Sequence, residues 1–237
     1  PYLYKAFNLK NIMTVFFILI FIQTAIILPF RLPEKIGQVK SVLTEAVGYY
    51  PSVSINAYNL WELILEGNLL AQKDSIVVYG FSYLKWGLLM FCTASFFALV
   101  PLLLITFRKR QDDVISYSND QNEVNIILLS CGLIPLLFFF FNTQMHERYS
   151  HPAFLFIFAF SYRNKDYIPL ILFSLAYFLN LDGVLKDFKL LDLIGKDFFR
   201  NRDLIATYYV IVIIYMFFYL YKISIKEERL FSKIHTN

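Results

Sequence analysis

The chain has two cysteines, three histidines and few charges: Asp, Glu, Lys and Arg together make up 17% of its 237 residues. Each scarcity removes a class of function. Cys92 and Cys131 both lie inside apolar runs and read as small core residues, with no disulfide or metal role expected. His146 and His151 miss the i, i+4 spacing that puts two ligands on one helix face, and no HExxH pattern occurs, so no zinc site is expected. No P-loop, glycine-rich phosphate cradle or serine nucleophile elbow is present, nor any nicotinamide, flavin or haem signature. The net charge of +4 comes without a concentrated basic face, which argues against nucleic acid as a partner. Internal repeats and low-complexity linkers are also missing.

Apolar surface is what the chain has in abundance. Hydrophobic residues make up 58%, including 26 Phe and 17 Tyr, against roughly 45–50% in soluble globular proteins. The mean hydropathy is +0.54. A soluble core of this length cannot hide that much apolar surface, and disorder needs the opposite composition. The composition therefore predicts an all-α, polytopic membrane protein. Runs long enough to approach the roughly 20 residues of a span cover 11–30, 83–107, 124–141, 152–162, 167–181 and 204–221, the fourth and fifth being short. Almost no charge lies mid-span, which argues against a permease.

Basic residues orient the chain. Lys5, Lys10, Arg108-Lys109-Arg110, Arg163, Lys165, Lys222, Lys226, Arg229 and Lys233 fall on one side and leave it net positive. Both ends are then cytoplasmic. Asp112-Asp113, beside the Arg108 cluster, read as a solvated loop, not as a metal pair. The extracytoplasmic connections include 31–82 and 183–203, where three amphipathic patterns predict interfacial helices. The first runs over about 34–47, with Pro33 at its start and Gly48 at its end. A second covers about 55–66, with Ser54 as N-cap and Gly67 as C-cap. Its Tyr58, Trp61 and Leu65 share one face, while Asn59 shares the other with Glu62 and Glu66, the two acids reading as the wet side. The third lies within 183–203, where Leu185, Phe188, Leu191 and Phe198 alternate with lysines and aspartates. Asn180, Asp182 and Asp187 lie near an outer helix end with nothing to single them out.

The densest polar cluster between apolar runs is Met145-His146-Glu147-Arg148-Tyr149. Burying such groups costs several kcal/mol each unless they are paired or face water. A helix starting near Pro152 would bring its free N–H groups and positive dipole end close to Arg148 and His146. Together these suit a phosphate, gripped by Arg148 and hydrogen-bonded by His146. Residues two apart on a regular helix point about 200° from one another, so this reading requires a turn or an unwound helix end. Asn142-Thr143-Gln144 and Pro152 favour one. The alternative is a plain polar turn whose Arg148 pairs with Glu147 and reaches for lipid headgroups.

Phe141-Asn142-Thr143-Gln144-Met145-His146-Glu147-Arg148-Tyr149, followed by Pro152-Ala153, resembles the Met-His-Glu-Arg-Tyr motif of bacterial membrane glycosyltransferases. These are similar to the mannosyltransferases of the glycosylphosphatidylinositol pathway. Upstream, 50–61 (Tyr-Pro-Ser-Val-Ser-Ile-Asn-Ala-Tyr-Asn-Leu-Trp) resembles an outer-loop segment of the same proteins. The resemblance implies a GT-C fold and transfer of a sugar, mannose by analogy, from a polyprenyl-phosphate donor to a glycan or lipid acceptor outside a bacterial plasma membrane. It implies His146 and Arg148 as donor-phosphate contacts. Glu147, Tyr149, Gln144, Asn56, Asn59 and Trp61 become candidate pocket residues. No metal and no cofactor beyond the lipid-linked donor are implied. The matches span about 30–160, and the family's catalytic acid lies in an early outer loop. The chain opens Pro1-Tyr2 without Met or signal pattern, so a C-terminal piece of a longer chain is expected, with that acid before Pro1 and no catalytic acid assigned here. A non-catalytic membrane subunit or flippase-like protein binding lipid-linked phosphate uses the same residues without transfer.

Overall fold

A computed structural model describes residues 9–27, 50–111, 120–186, 195 and 198–235. The chain divides into two compact units, one of 1–50 and 105–116, the other of 51–104 and 117–237. In the first, α1 (Leu9–Ile27) is an apolar helix whose Phe17 and Phe21 are exposed. The expected helix over 34–47 lies outside the described residues, as do 187–194 and 196–197 of the expected third interfacial segment, 183–203.

The larger unit carries the rest of the described structure. After β1 (Ser54–Ile55) and α2 (Leu60–Ile64) come a hairpin of β2 (Val77–Val78) and β3 (Phe81–Ser82), then the long helix α3 (Tyr83–Gln111), which runs on beyond this unit. They are followed by α4 (Asp120–Phe141), β4 (Met145–His146), α5 (His151–Asn164), α6 (Ile168–Leu185) and α7 (Arg202–His235). Among the described residues four helical stretches are long and apolar enough to cross a membrane: Tyr83–Thr106, Asn122–Phe141, Ile168–Leu185 and Arg202–Ile225. They suit a membrane-embedded all-α protein. The other two expected spans are helical but fall short of that measure: α5 has 14 residues, about 21 Å at 1.5 Å each, and the apolar part of α1 is only Met13–Ile26.

The core lies around α4. Its Leu129, Leu133, Leu136, Leu137 and Phe139 are fully buried, against α5 and α7, and α6 closes on both of those helices. At Gly132 the missing side chain leaves room for the side chains of Ile157 on α5 and Met216 on α7. Proline inside a helix frees the carbonyl four residues earlier. In α3, Pro101 frees Phe97, and the hydroxyl of Tyr221 on α7 donates to that carbonyl at 2.9 Å. The partner helix supplies the bond that proline removed. Cys131 is half-buried, whereas Cys92 is exposed on α3 and is no core residue.

The pattern read as a helix over 55–66 is organised differently. Ser54 and Ile55 form a strand, Asn56 has φ 65°, and the cap falls on Asn59, whose Oδ1 accepts from the Trp61 amide at 3.2 Å. Helix α2 lasts five residues and ends at Leu65. The local helical spacing is overridden because 52–56 pairs with a segment far along the chain.

Candidate functional site

That pairing builds the site. Strands β1 and β4 are parallel, Ser54 opposite Met145 and Ile55 opposite His146, with a further bridge from Asn56 to His146. The Gln144 amide reaches the carbonyls of Ser52 and Val53, each at 3.2 Å. The segment after α4 is thus extended and then turned, the non-helical geometry that the polar cluster required. Gln144 itself has φ 62°, a conformation costing a non-glycine residue on the order of 1–3 kcal/mol. Its side chain is held in place by Asp74, whose Oδ2 accepts from Gln144 Nε2 at 2.6 Å and from Thr143 Oγ1 at 3.2 Å.

The 56–61 segment closes the end of α4, whose last carbonyls lack helical partners. Asn59 Nδ2 donates to Phe139 O and Asn142 O at 3.1 and 3.3 Å, and Trp61 Nε1 to Phe141 O at 3.0 Å. Both side chains are buried and stand behind the site, while Asn56 is exposed beside His146. Asn180, fully buried on α6, completes the frame. Its Oδ1 accepts from the Tyr58 amide at 2.9 Å, and its Nδ2 donates to the Glu147 carbonyl at 3.0 Å. One side chain staples the two segments. Leaving a buried polar group unsatisfied costs about 1–3 kcal/mol, so Asn180→Ala, which orphans two, is expected to destabilise the fold by about 2–4 kcal/mol. Thermal unfolding in detergent reads this as a clear drop in Tm; an unchanged Tm would mean the staple is dispensable.

Glu147 sits between the two candidate phosphate contacts, its Oε2 3.9 Å from His146 Nδ1 and its Oε1 3.6 Å from Arg148 Nη1. The exposures differ: 18% for His146, 12% for Glu147 and 64% for Arg148. Burial lowers the His146 pKa below its ordinary value, Glu147 pulls it up and Arg148 pushes it down. The ring also meets Tyr149 edge-on at 5.2 Å. Helix α5 then opens at His151-Pro152, with proline in its first turn as expected.

Arg148, Tyr149 and His151 line a groove of about 790 Å³ whose remaining wall is apolar apart from Tyr177. Phe91 of α3 and Ile134, Pro135 and Phe138 of α4 carry it roughly two helical turns along α4. An exposed guanidinium above an apolar trough matches an amphiphile with an anionic head. No sequence signal marked Asp74, and the groove walls read only as span. Glu62 departs from its water-facing reading: its side chain is 7% exposed and lies 3.6 Å from Arg202 Nη1. Burial raises its pKa most, with Arg202 opposing and Asp203 adding. Asp182 is buried too, 3.0 Å from Arg200 Nε. Asp187 lies outside the described residues. Among the described residues no group of three or more His, Cys, Asp or Glu is placed to hold a metal. No family model matches the chain, and no curated protein or solved structure matches it.

Proposed function

We propose that the chain is the donor-binding part of a GT-C-type membrane glycosyltransferase, mannosyltransferase-like, using a polyprenyl-phosphate sugar on the extracytoplasmic face of a bacterial plasma membrane. The observation that carries this reading is the parallel pairing of Ser54–Ile55 with Met145–His146. It joins the two segments that resemble such enzymes and sets Arg148 over an apolar groove. In this reading the lipid chain enters the groove, the phosphate meets Arg148, His146 and the start of α5, and the sugar lies beside Glu147, Tyr149 and Gln144. The acceptor hydroxyl attacks the anomeric carbon and the carbon–oxygen bond to phosphate breaks. Polyprenyl phosphate then leaves with the bonding pair, while a carboxylate takes the acceptor's proton. The groups at this site stabilise the departing charge. The resemblance implies an acid in an early outer loop as that base, and none of the described residues is assigned the role. A second reading, a lipid-phosphate-binding subunit or flippase-like protein without transfer, is favoured by one fact. Glu147 and Glu62 each face a cation, and Asp74 is engaged by Thr143 and Gln144.

The test uses the full-length protein in nanodiscs with a radiolabelled polyprenyl-phosphate sugar and a membrane glycolipid extract as acceptor. Labelled product together with released polyprenyl phosphate supports the enzyme; saturable donor binding without either supports the second reading; no binding overturns both. The pH dependence of binding is a further expectation. The donor is an anion throughout the working range, and an anion beside His146 raises a pKa that burial had lowered. Binding then takes up a proton, so affinity is expected to rise several-fold from about pH 8 to about pH 6. In His146→Gln the profile is expected to be flat. A wild-type profile that is flat, or that rises with pH, would remove His146 from the phosphate site.

A further inference from the structure

We propose that the β2–β3 hairpin is a membrane anchor resting in the headgroup layer of the bilayer that α3 crosses. The idea goes beyond donor binding and does not depend on it. Val77 pairs with Ser82 and Val78 with Phe81, leaving a two-residue loop of Tyr79 and Gly80. Both have positive φ, 51° and 87°, the geometry that turns a tight hairpin without splaying its strands. Tyr79 at its tip is 93% exposed, and Ile76, Val77 and Phe81 are exposed beside it. An uncharged apolar run of this kind, held rigidly outward, is a poor surface for water.

The depth of the hairpin is set by its ties to α3. Trp86 Nε1 donates to the Val78 carbonyl at 2.9 Å, and its ring meets Phe81 edge-on at 5.3 Å. The amides of Tyr83 and Leu84 reach back to the carbonyls of Ile76 and Asp74, each at 3.1 Å. Trp86 is three residues into a stretch apolar enough to span, Tyr83–Thr106, about 5 Å along the axis. The 24-residue stretch is about 36 Å long against a hydrocarbon core of about 30 Å, so its first turn, and Val78 level with it, lies at the boundary between core and headgroup layer. Amphipathic aromatics favour that layer. Exposed Lys73 and Lys85 flank the hairpin and suit lipid phosphates. Depth, rigidity and side-chain chemistry converge on a lipid surface. Through Asp74, which follows Lys73 and holds Thr143 and Gln144, the anchor would fix the height of the 144–148 segment relative to the headgroups.

The experiment places a bimane label at Tyr79→Cys in a Cys92→Ser, Cys131→Ser background, with Glu66→Cys as a water-exposed reference. The protein is reconstituted in phosphatidylcholine–phosphatidylglycerol nanodiscs. Nitroxides on the lipid headgroup or upper acyl chain are expected to quench position 79 at least fivefold more than position 66, and iodide correspondingly less. Iodide quenching equal to that at 66 overturns the anchor. So does protection from both quenchers, which would mean that a second copy or another protein segment covers the hairpin. If the position 79 variant fails to fold, the same measurement at Val77→Cys decides.

Discussion

On the proposed transferase function, replacing Arg148 by alanine is expected to lower kcat/KM for sugar transfer by about 100-fold, close to 2.7 kcal/mol of transition-state stabilisation, while leaving the fold intact. The two halves of that expectation come from the same geometry. Arg148 is 64% exposed, and its 3.6 Å approach to Glu147 is longer than a hydrogen bond. A pair of this kind contributes about 0–1 kcal/mol. The guanidinium is thus free to exchange Glu147 for a ligand at little cost. A phosphate takes a two-pronged, charge-assisted grip from it, with hydrogen bonds to charged groups contributing roughly 1.5–3 kcal/mol. As the anomeric bond breaks, charge gathers on that phosphate, and a single donor to a developing oxyanion is typically worth about 2.7–4 kcal/mol. Part of the loss should therefore fall on kcat, beyond weaker donor binding. Arg148→Lys keeps the charge but loses the planar fork and is expected to fall between. Initial rates against donor concentration, with Tm as the folding control, check both halves. A folded Arg148→Ala protein with wild-type kcat/KM would remove the guanidinium from the mechanism.

A second large effect is expected at Gly87, and its sign is informative. On an open helix face, glycine to alanine stabilises by about 1 kcal/mol. Here an added Cβ would sit 2.7 Å from the Phe141 carbonyl oxygen, 3.2 Å from Asn142 Cα and 3.3 Å from the Trp61 ring. The first two are backbone, and that carbonyl already accepts from Trp61 Nε1. Nothing nearby can give cheaply, so α3 or the end of α4 must shift. Overpacking of this kind costs about 1–3 kcal/mol, which outweighs the propensity gain. Gly87→Ala is expected to be net destabilising by about 1–2 kcal/mol, with lower Tm, altered tryptophan emission and weakened donor binding, since the displaced atoms lead into 142–148. A raised Tm would mean that α3 does not press on the end of α4.

Local chemistry made some of this legible and hid the rest. The break after α4 was readable because Asn142-Thr143-Gln144 interrupts an apolar run and Pro152 suits a first helical turn. The helix over 55–66 misled for a physical reason. Ser54 and Asn59 are both good caps, and Tyr58, Trp61 and Leu65 keep helical spacing whether or not a helix forms. What decides is the pairing of Ile55 with His146, which no window of neighbouring residues contains. Asp74 was invisible for the same reason, because its partner Gln144 is 70 positions away. Glu62 looked like one acid among several on a wet face until Arg202 and burial gave it a distinct environment.

The staple at Asn180 also bears on the order in which the molecule comes together. Tyr58 and Asn180 are 122 positions apart, so the 52–61 segment is made long before its last partner. Trp61 finds the end of α4 first, 80 residues on, and Tyr58 waits for α6. Two-residue pairing over such a loop returns little until its closure entropy has been met. During synthesis, which proceeds from the N-terminal end, the early segment must stay uncommitted while α3, α4 and α5 are made. The candidate site is consequently a late product of assembly. Any lesion that delays α6 would leave a chain whose earlier helices are in place and whose candidate site does not yet exist.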